Sequence, residues 1–356
     1  MKRKILVASN LYPSKELPYK GTFVKNFVDS LKEYDPECEI DLCVLKRKNS
    51  SKLSLLKEYV KTYASLFKKL MFGKYDLVYC HFITHFAPVF FIASLFRKQK
   101  TVYNIHGEDI IPQSRLARML LKIGEINLKK AFKVVVPSIY FRDFTSEKYP
   151  FLTSKIIVSA SGGILESFYI KREVPKSSRK ITIGYLSRIE RGKGWDTFME
   201  AIRIIRSKGY ENPVIMVGGG EEINNLKNLR DKNKNLNIEH IGALPPEKIP
   251  AILKKMDLFV FPSKLEESLG LVGIEAMAAS LPVIGSRIGG LQDYVRDDYN
   301  GYYFEPGNVV ELSEKIIEYL NLPDDEKSFM MKNTYKTALK YKRETVGRRL
   351  FSKLFN

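Results

Sequence analysis

The sequence of 356 residues predicts an α/β fold in which two doubly wound, Rossmann-like domains face each other across a cleft. Short apolar strands alternate with helical stretches, which is the pattern of a parallel sheet covered on both faces. The alternation stops at the polar stretch KREVPKSSRK (171–180) and then restarts, and the length suits two domains. We therefore predict a first domain over 1–170, a linker over 171–180 and a second domain over 181–335.

Each domain is predicted to contain six strands. In the first, strands are expected at 5–9, 40–45, 77–81, 101–105, 134–137 and 155–159, and helices at 22–33, 53–72, 88–96, 114–131 and 139–149. In the second, strands are expected at 181–186, 213–217, 238–241, 258–262, 282–286 and 301–304, and helices at 194–208, 221–232, 246–255, 271–279 and after Val309. Ligands of such sheets collect at the carboxyl ends of the strands.

Two segments resemble targeting or membrane signals. The segment LVYCHFITHFAPVFFIASLF (77–96) has the length of a membrane span, but it contains two histidines and a proline. We interpret it as a strand, a loop and a helix that begins at Pro88. The N-terminal apolar run ends after Ala8, which predicts a strand and not a signal peptide. Three cysteines without repeated spacing indicate a reducing compartment.

The chain is basic, with a formal net charge of +19. Residues 1–170 carry 28 Lys and Arg against 15 Asp and Glu, a net +13, and the remainder carries +6. A positive field of this kind suits nucleic acid, phosphorylated substrates or an acidic membrane surface. The alternative is a set of ordinary solvated lysines.

The stretch EESLGLVGIEAM (266–277) holds the strongest candidate site. Glu267 is expected at the cleft mouth, in the loop between a strand and a helix, and Glu275 inside that helix, where it could accept hydrogen bonds from two sugar hydroxyls. The unpaired N–H groups of the first turn suit a phosphate, and the candidate donor-binding residues there are Ser268, Leu269, Gly270 and Leu271. The alternative is that Glu267 only caps the helix and Glu275 is solvated.

Three further clusters lie at predicted strand ends. Arg188 and Lys193 in RIERGKG follow the first strand of the second domain, and a guanidinium with an ammonium suits a diphosphate; the alternative is an ordinary basic loop. His106 in NIHGEDI ends a strand, as His81 does, although a single histidine is more often structural. Gly21 in PYKGTFV precedes a helix, so nearby N–H groups could touch a phosphate.

Several signals are missing. VGGGEEI (217–223) fails as a dinucleotide fingerprint because Ile223 stands where the third glycine belongs. The sequence contains no Walker loop, no Asp-x-Asp pair and no complete set of zinc ligands at the usual spacing. We therefore expect no cofactor and no obligatory metal.

These residues resemble glycosyltransferase family 4, retaining enzymes of the GT-B fold. The run PSKLEESLGLVGIEAMAASLPVIGSRIGGLQDYV (262–295) is similar to its most recognisable block, with Glu267 and Glu275 in the two places of a Glu-x7-Glu motif. RIERGKG, HGED and YKGTFV resemble its diphosphate-binding, histidine and glycine-loop motifs. The resemblance implies that Glu267 and His106 lie by the transferred sugar, Glu275 by the ribose, and Arg188 and Lys193 by the diphosphate.

The resemblance also implies an activity and an architecture. It predicts transfer of a sugar from a nucleotide diphosphate sugar to a glycan or lipid-linked glycan, with retention and without a metal, in bacterial surface polysaccharide synthesis (O-antigen, capsule or exopolysaccharide). The family's C-terminal helix, here 336–356, is expected to return to the first domain. With the +13 charge, we expect a cytoplasmic, peripheral enzyme on the inner face of the cell membrane.

Helix 53–72 is the candidate membrane contact, because six of its apolar residues form one helical stripe. They are Leu56, Tyr59, Val60, Tyr63, Phe67 and Leu70. The alternative is a core-packing helix with lysines at its edge.

Two other functions stay open on the sequence alone. A nucleotide-sugar epimerase of the same fold would need no acceptor. A basic nucleic-acid-binding protein would show a recognised motif, which this sequence lacks, so we expect no nucleic-acid partner.

Overall fold

A computed structural model describes residues 2–14, 21–45, 52–107, 109–112, 114–174 and 179–355. The chain forms two compact units. Unit 1 comprises Met1–Gly163 with Arg343–Asn356, and unit 2 comprises Ile164–Lys342. Each unit contains a six-stranded parallel sheet covered by helices, which confirms the predicted fold class.

The sheet of unit 1 has the strand order β2-β1-β3-β4-β5-β6. Its strands are β1 (Lys4–Ser9), β2 (Glu39–Val44), β3 (Leu77–His81), β4 (Thr101–Asn104), β5 (Lys133–Val136) and β6 (Ile156–Val158). Its helices are α1 (Thr22–Tyr34), α2 (Lys52–Phe72), α3 (Ile83–Phe96), α4 (Arg115–Lys129) and α5 (Ile139–Lys148), followed at the C-terminus by Arg343–Phe355, which is α12 in chain order.

The sheet of unit 2 has the strand order β12-β11-β10-β7-β8-β9. Its strands are β7 (Ile183–Leu186), β8 (Val214–Val217), β9 (Ile238–Ile241), β10 (Leu258–Phe261), β11 (Val283–Ser286) and β12 (Gly301–Phe304). Its helices are α6 (Trp195–Ser207), α7 (Ile223–Lys232), α8 (Ile249–Leu253), α9 (Leu271–Ala278), α10 (Val309–Asn321) and α11 (Asp324–Ala338).

The first sheet has a core on each face, which explains why strand β1 is continuously apolar from Ile5 to Ala8. In β1, Leu6 and Ala8 pack into one cluster of buried side chains, and Ile5 and Val7 pack into the other. Successive strand side chains point to opposite faces, so both sets must be apolar when helices cover both sides.

Helix α3 begins at Ile83, so the predicted start at Pro88 is wrong. Phe82, in the left-handed conformation at φ 60°, turns the chain directly from β3 into the helix. Pro88 lies inside the helix, although proline has no N–H for the helical ladder. Burial of Ile83 and Phe86 on the core outweighs the lost hydrogen bond. No helix in the described ranges is both long enough and apolar enough to span a bilayer.

The predicted domain boundaries at 170 and 336 differ from those of the two units. The stretch 171–180 also does not join the units, because its described residues lie within unit 2. Ile170 donates its N–H to the Ala278 carbonyl at 3.0 Å, and the Arg172 guanidinium bonds Asp257 at 2.8 Å. These contacts fix the stretch to unit 2, whereas its composition alone indicated a linker; residues 175–178 lie outside the described ranges.

The C-terminal helix α12 packs within unit 1, against α1. Arg343 pairs with Asp29 at 3.2 Å and with Glu33 at 3.4 Å. The Phe351 ring lies 5.6 Å from the Phe27 ring, between centroids. The last helix of the chain therefore completes the core of the unit that contains the first strand.

The predicted stripe on α2 is divided in the structure. Tyr63, Phe67 and Leu70 pack into the core, whereas Leu56 and Val60 are 60% and 62% exposed. The buried line of the helix instead runs through Thr62, Leu66 and Leu70, spaced by four residues. Residues spaced by four lie on one side of a helix; Tyr63 and Phe67 flank this line and pack against the core, whereas Leu56 and Val60 lie outside it.

Candidate functional site

In unit 2, the loops after β7 and β10 bring Lys193 and Glu267 together. The Lys193 Nζ lies 2.7 Å from the Glu267 Oε1, and each side chain is 14% exposed. The Ser263 hydroxyl donates to the same oxygen at 2.7 Å. A largely buried carboxylate is thus held by a cation and a hydroxyl at the carboxyl edge of the sheet.

A glycine allows the two loops to meet. Gly194 has φ 72°, and a Cβ placed there would lie 1.7 Å from the Pro262 carbonyl oxygen. No other residue fits so close an approach. The Lys264 N–H donates to the Gly192 carbonyl at 2.7 Å, which fixes the same contact. The backbone on both sides of Lys193 is therefore held against the β10 loop.

Arg188 does not join this pair. Its side chain is 63% exposed and bonds the Glu190 carboxylate at 2.8 Å. Arg188 and Lys193, the two cations predicted to act together, therefore each bond a different carboxylate. An exposed ion pair of this type is weak, so Arg188 can exchange Glu190 for another anion.

Helix α9 supplies the turn between the two glutamates. Gly270 is its N-cap, in the left-handed conformation, and Leu271 is its first residue. The first N–H groups of a helix have no carbonyl partner within it. Leu269 lies in the loop with its side chain buried, so only its backbone is available to a ligand. The half-buried Ser268 is its neighbour.

Glu275 is half-buried inside α9, between the buried residues Ile274 and Ala276. Burial raises the pKa of its carboxyl group to about 7. Among the described residues, no side chain or backbone group donates a hydrogen bond to it. An ionised carboxylate in such surroundings is unfavourable unless it accepts hydrogen bonds. A ligand with hydrogen-bond donors would supply what this site lacks.

In unit 1, the ends of β3 and β4 bring two histidines together. The His81 Nδ1 lies 3.0 Å from the His106 Nε2, and the rings stack with centroids 5.2 Å apart. The two strands are neighbours, so their carboxyl ends share one edge. Burial lowers the pKa of His106 to about 3 and the pKa of His81 well below its ordinary value. Both imidazoles are therefore neutral near pH 7.

The turn after His106 is closed by Asp109. One oxygen of this buried carboxylate accepts the N–H groups of His106 at 2.9 Å and Gly107 at 3.1 Å. Burial raises the pKa of Asp109 to about 7. Asp109 thus shapes the backbone that carries His106.

Gly21 stands at the N-cap of α1 with φ 77°, and a Cβ there would lie 2.7 Å from the Tyr12 nitrogen. The glycine is required by this close packing on the loop after β1. Phe23 follows it and places its ring 4.7 Å from the His106 ring, between centroids. The predicted glycine loop is therefore beside the histidines, although Tyr19 and Lys20 fall outside the described residues.

Sequence reasoning gave no role to several residues that build these sites. Ser263 bonds Glu267, the Gly290 N–H donates to the Glu267 carbonyl at 2.7 Å, and the Tyr294 hydroxyl donates to the Gly270 carbonyl at 3.0 Å. The Gly289-Gly290 pair follows β11 at its carboxyl end, a signal that could have been used. A tyrosine 24 positions from its partner gave none.

The chain matches two family profiles. The family described as Glycosyl transferases group 1 matches residues 167–337, and the family described as Glycosyl transferase 4-like matches residues 24–138. The first match contains Lys193, Glu267 and Glu275, and the second contains both histidines of the pair. Together the two matches extend over most of both units.

Individual proteins are similar at lower identity. An uncharacterized glycosyltransferase of Methanocaldococcus jannaschii is 27% identical over 252 residues, covering 69% of this chain and 66% of that protein. The lipopolysaccharide 1,2-N-acetylglucosaminetransferase of Salmonella typhimurium is 26% identical over 242 residues, covering 63% and 62%. The aligned part spans just under two thirds of each relative. The crystal structure of HepE from Anabaena with UDP and glucose superposes with a TM-score of 0.75 at 19% identity, covering 99% of both chains, and this likeness is one of fold.

Proposed function

We propose that this chain, which belongs to the group 1 (family 4) glycosyltransferases and has the GT-B fold, transfers a sugar from a nucleotide diphosphate sugar to a glycan or lipid-linked glycan with retention of configuration. The observation that carries the proposal is the carboxylate of Glu275. It lies in the helix that begins beside Glu267, and no described residue donates a hydrogen bond to it. Two ribose hydroxyls would supply the missing donors.

The leaving diphosphate would be stabilised by groups already gathered in unit 2. Lys193 uses one of its three N–H bonds on Glu267, so two remain for phosphate oxygens. The N–H groups at the start of α9 and the exposed Arg188 add further positive potential. Electrostatic stabilisation of developing charge often contributes more to catalysis than any other single effect, and it would replace a metal here.

The mechanism assigns different roles to the two glutamates. Glu267 would accept a hydrogen bond from the transferred sugar through its second oxygen, because its first oxygen already holds Lys193 and Ser263. The acceptor hydroxyl would attack from the face that the diphosphate leaves. No protein nucleophile is required for this step.

We propose further that unit 1 rests on an acidic membrane and that the product is a bacterial surface polysaccharide. The outward face of α2 carries exposed Leu53, Leu56, Val60 and Phe72 together with Lys57, Lys61 and Lys68. The helix has one acidic residue, the half-buried Glu58. Such a face suits the boundary of an anionic bilayer. The similarity to the lipopolysaccharide enzyme of Salmonella supports the pathway.

Nucleotide binding tests the donor assignment. Calorimetry with UDP, GDP and ADP should detect one nucleotide at millimolar concentration or below, and transfer assays with the matching sugars should follow. Absence of binding by all three would remove the proposed function. Vesicle flotation tests the membrane: Leu56→Ser with Val60→Ser should reduce binding to anionic vesicles. Val310→Ser, an exposed apolar residue of unit 2, is the matched control.

A further inference from the structure

In the histidine pair of unit 1, formed by His81 and His106, the surroundings of one nitrogen decide which ring nitrogens carry the protons. His81 is 1% exposed, and its Nε2 is a buried atom without a partner among the described residues. Its Nδ1 faces the His106 Nε2 at 3.0 Å. Phe27 and Tyr79 surround the ring, with centroids 5.1 Å and 5.0 Å away.

Two neutral arrangements fit the contact. If His106 donates from Nε2, the His81 proton must sit on Nε2, where it is buried and unpaired. If His81 donates from Nδ1, its Nε2 is a bare acceptor and no donor is orphaned. Orphaned buried N–H groups are rarer than under-satisfied acceptors, so the second arrangement is favoured.

We propose that His81 is a positioning residue that donates its Nδ1–H to the His106 Nε2 and thereby fixes His106 as the Nδ1–H tautomer. His106 is partly exposed, and the nitrogen left for a ligand is then a donor. It would give a hydrogen bond to an oxygen of a bound substrate, and it would not act as a base. That the acceptor is a substrate oxygen rests on the proposed function; the tautomer does not.

The neighbours of the pair do not oppose this assignment. The Tyr79 hydroxyl accepts a hydrogen bond from the Asn104 amide at 3.0 Å, and it makes none to the His81 Nε2. Asp109 bonds backbone N–H groups, and Phe23 and Phe82 cover the His106 ring. None of these described neighbours is a cation, and both imidazoles stay neutral.

Nitrogen-15 NMR of histidine-labelled full-length protein tests the tautomer without activity. The chain has four histidines, so assignment by single substitutions is practical. We expect protonated Nδ1 and bare Nε2 on both His81 and His106. A protonated Nε2 on His106 in the wild type would overturn the proposal. If nucleotide binding fails while the tautomer is as expected, only the proposed function falls.

Two substitutions separate positioning from packing. His81→Asn places an amide donor near the original Nδ1, and His81→Phe keeps a ring without a donor. We expect kcat to fall about tenfold in His81→Phe, the size of one hydrogen bond, and to be largely restored in His81→Asn. Nucleotide affinity should be unchanged in both. Equal losses in the two variants would overturn the positioning role.

Discussion

Replacement of Glu275 by glutamine is expected to stabilise unit 2 while it weakens nucleotide binding. In the folded chain, burial raises the pKa of Glu275 to about 7 from 4.5. At a pH between these two values, Glu275 therefore keeps its proton in the folded state and has lost it in the unfolded state. Stability falls as pH rises through this window, and glutamine, which does not titrate, removes the fall.

The size of the effect follows from the shift. The difference between 7 and 4.5, at about 1.4 kcal/mol per pKa unit, gives roughly 3 kcal/mol of unfolding free energy above pH 7. Glu275→Gln should thus be about 3 kcal/mol more stable relative to wild type at pH 8 than at pH 4. Loss of two charge-assisted hydrogen bonds to the ribose should lower nucleotide affinity by roughly 10²-fold.

Urea unfolding at a series of pH values measures the stability. Trp195 is the one tryptophan of the chain, and it is buried in unit 2, so its fluorescence reports this unit. Glu266→Gln is the matched control because Glu266 is an exposed glutamate in the loop that precedes the same helix. It should leave both stability and nucleotide affinity unchanged.

Binding gives an independent check of the sign. Ribose hydroxyls favour the ionised carboxylate, so nucleotide binding near pH 6 should release a proton, which calorimetry detects in buffers of different ionisation enthalpy. A stability difference that does not depend on pH would refute the buried-carboxylate reasoning. Equal nucleotide affinity in wild type and Glu275→Gln would refute the ribose role.

Three further predictions concern unit 2. Lys193→Met should lower kcat by about 10²-fold or more, since it removes a preorganised cation. Arg188→Ala should lower kcat less, because Arg188 is exposed. Steady-state kinetics compares the two variants, and a larger loss in Arg188→Ala would contradict the assignment. Gly194→Ala should destabilise unit 2 by about 2 kcal/mol or more, because the added Cβ meets the Pro262 carbonyl. Urea unfolding measures this loss, and an unchanged unfolding midpoint would disprove the packing argument. Transfer should survive EDTA at full rate, whereas a loss restored by a divalent cation would show a metal requirement.

Much of the fold was predictable because it rests on local patterns. Most strands of both sheets are apolar runs, the edge strands β2 and β9 being more polar, and most helices between them begin close to the predicted positions. The start of α3 was missed because Pro88 is a frequent first-turn residue, whereas the burial of Ile83 and Phe86 decides where the helix begins. The buried face of α2 was missed for a related reason. Periodicity shows that a helix has an apolar stripe, but the elements packed against the helix decide which of its residues are buried.

The sequence by itself determined which residues could carry chemistry, because strand ends and helix starts are marked by local composition. Glu267, Glu275, Lys193 and His106 were all placed in this way. Only the tertiary structure decided which of them touch. Lys193 and Glu267 lie 74 positions apart and His81 and His106 lie 25 apart, and these pairs form because neighbouring parallel strands deliver their carboxyl ends to one edge. The pattern of a single strand does not contain the identity of its neighbour in the sheet.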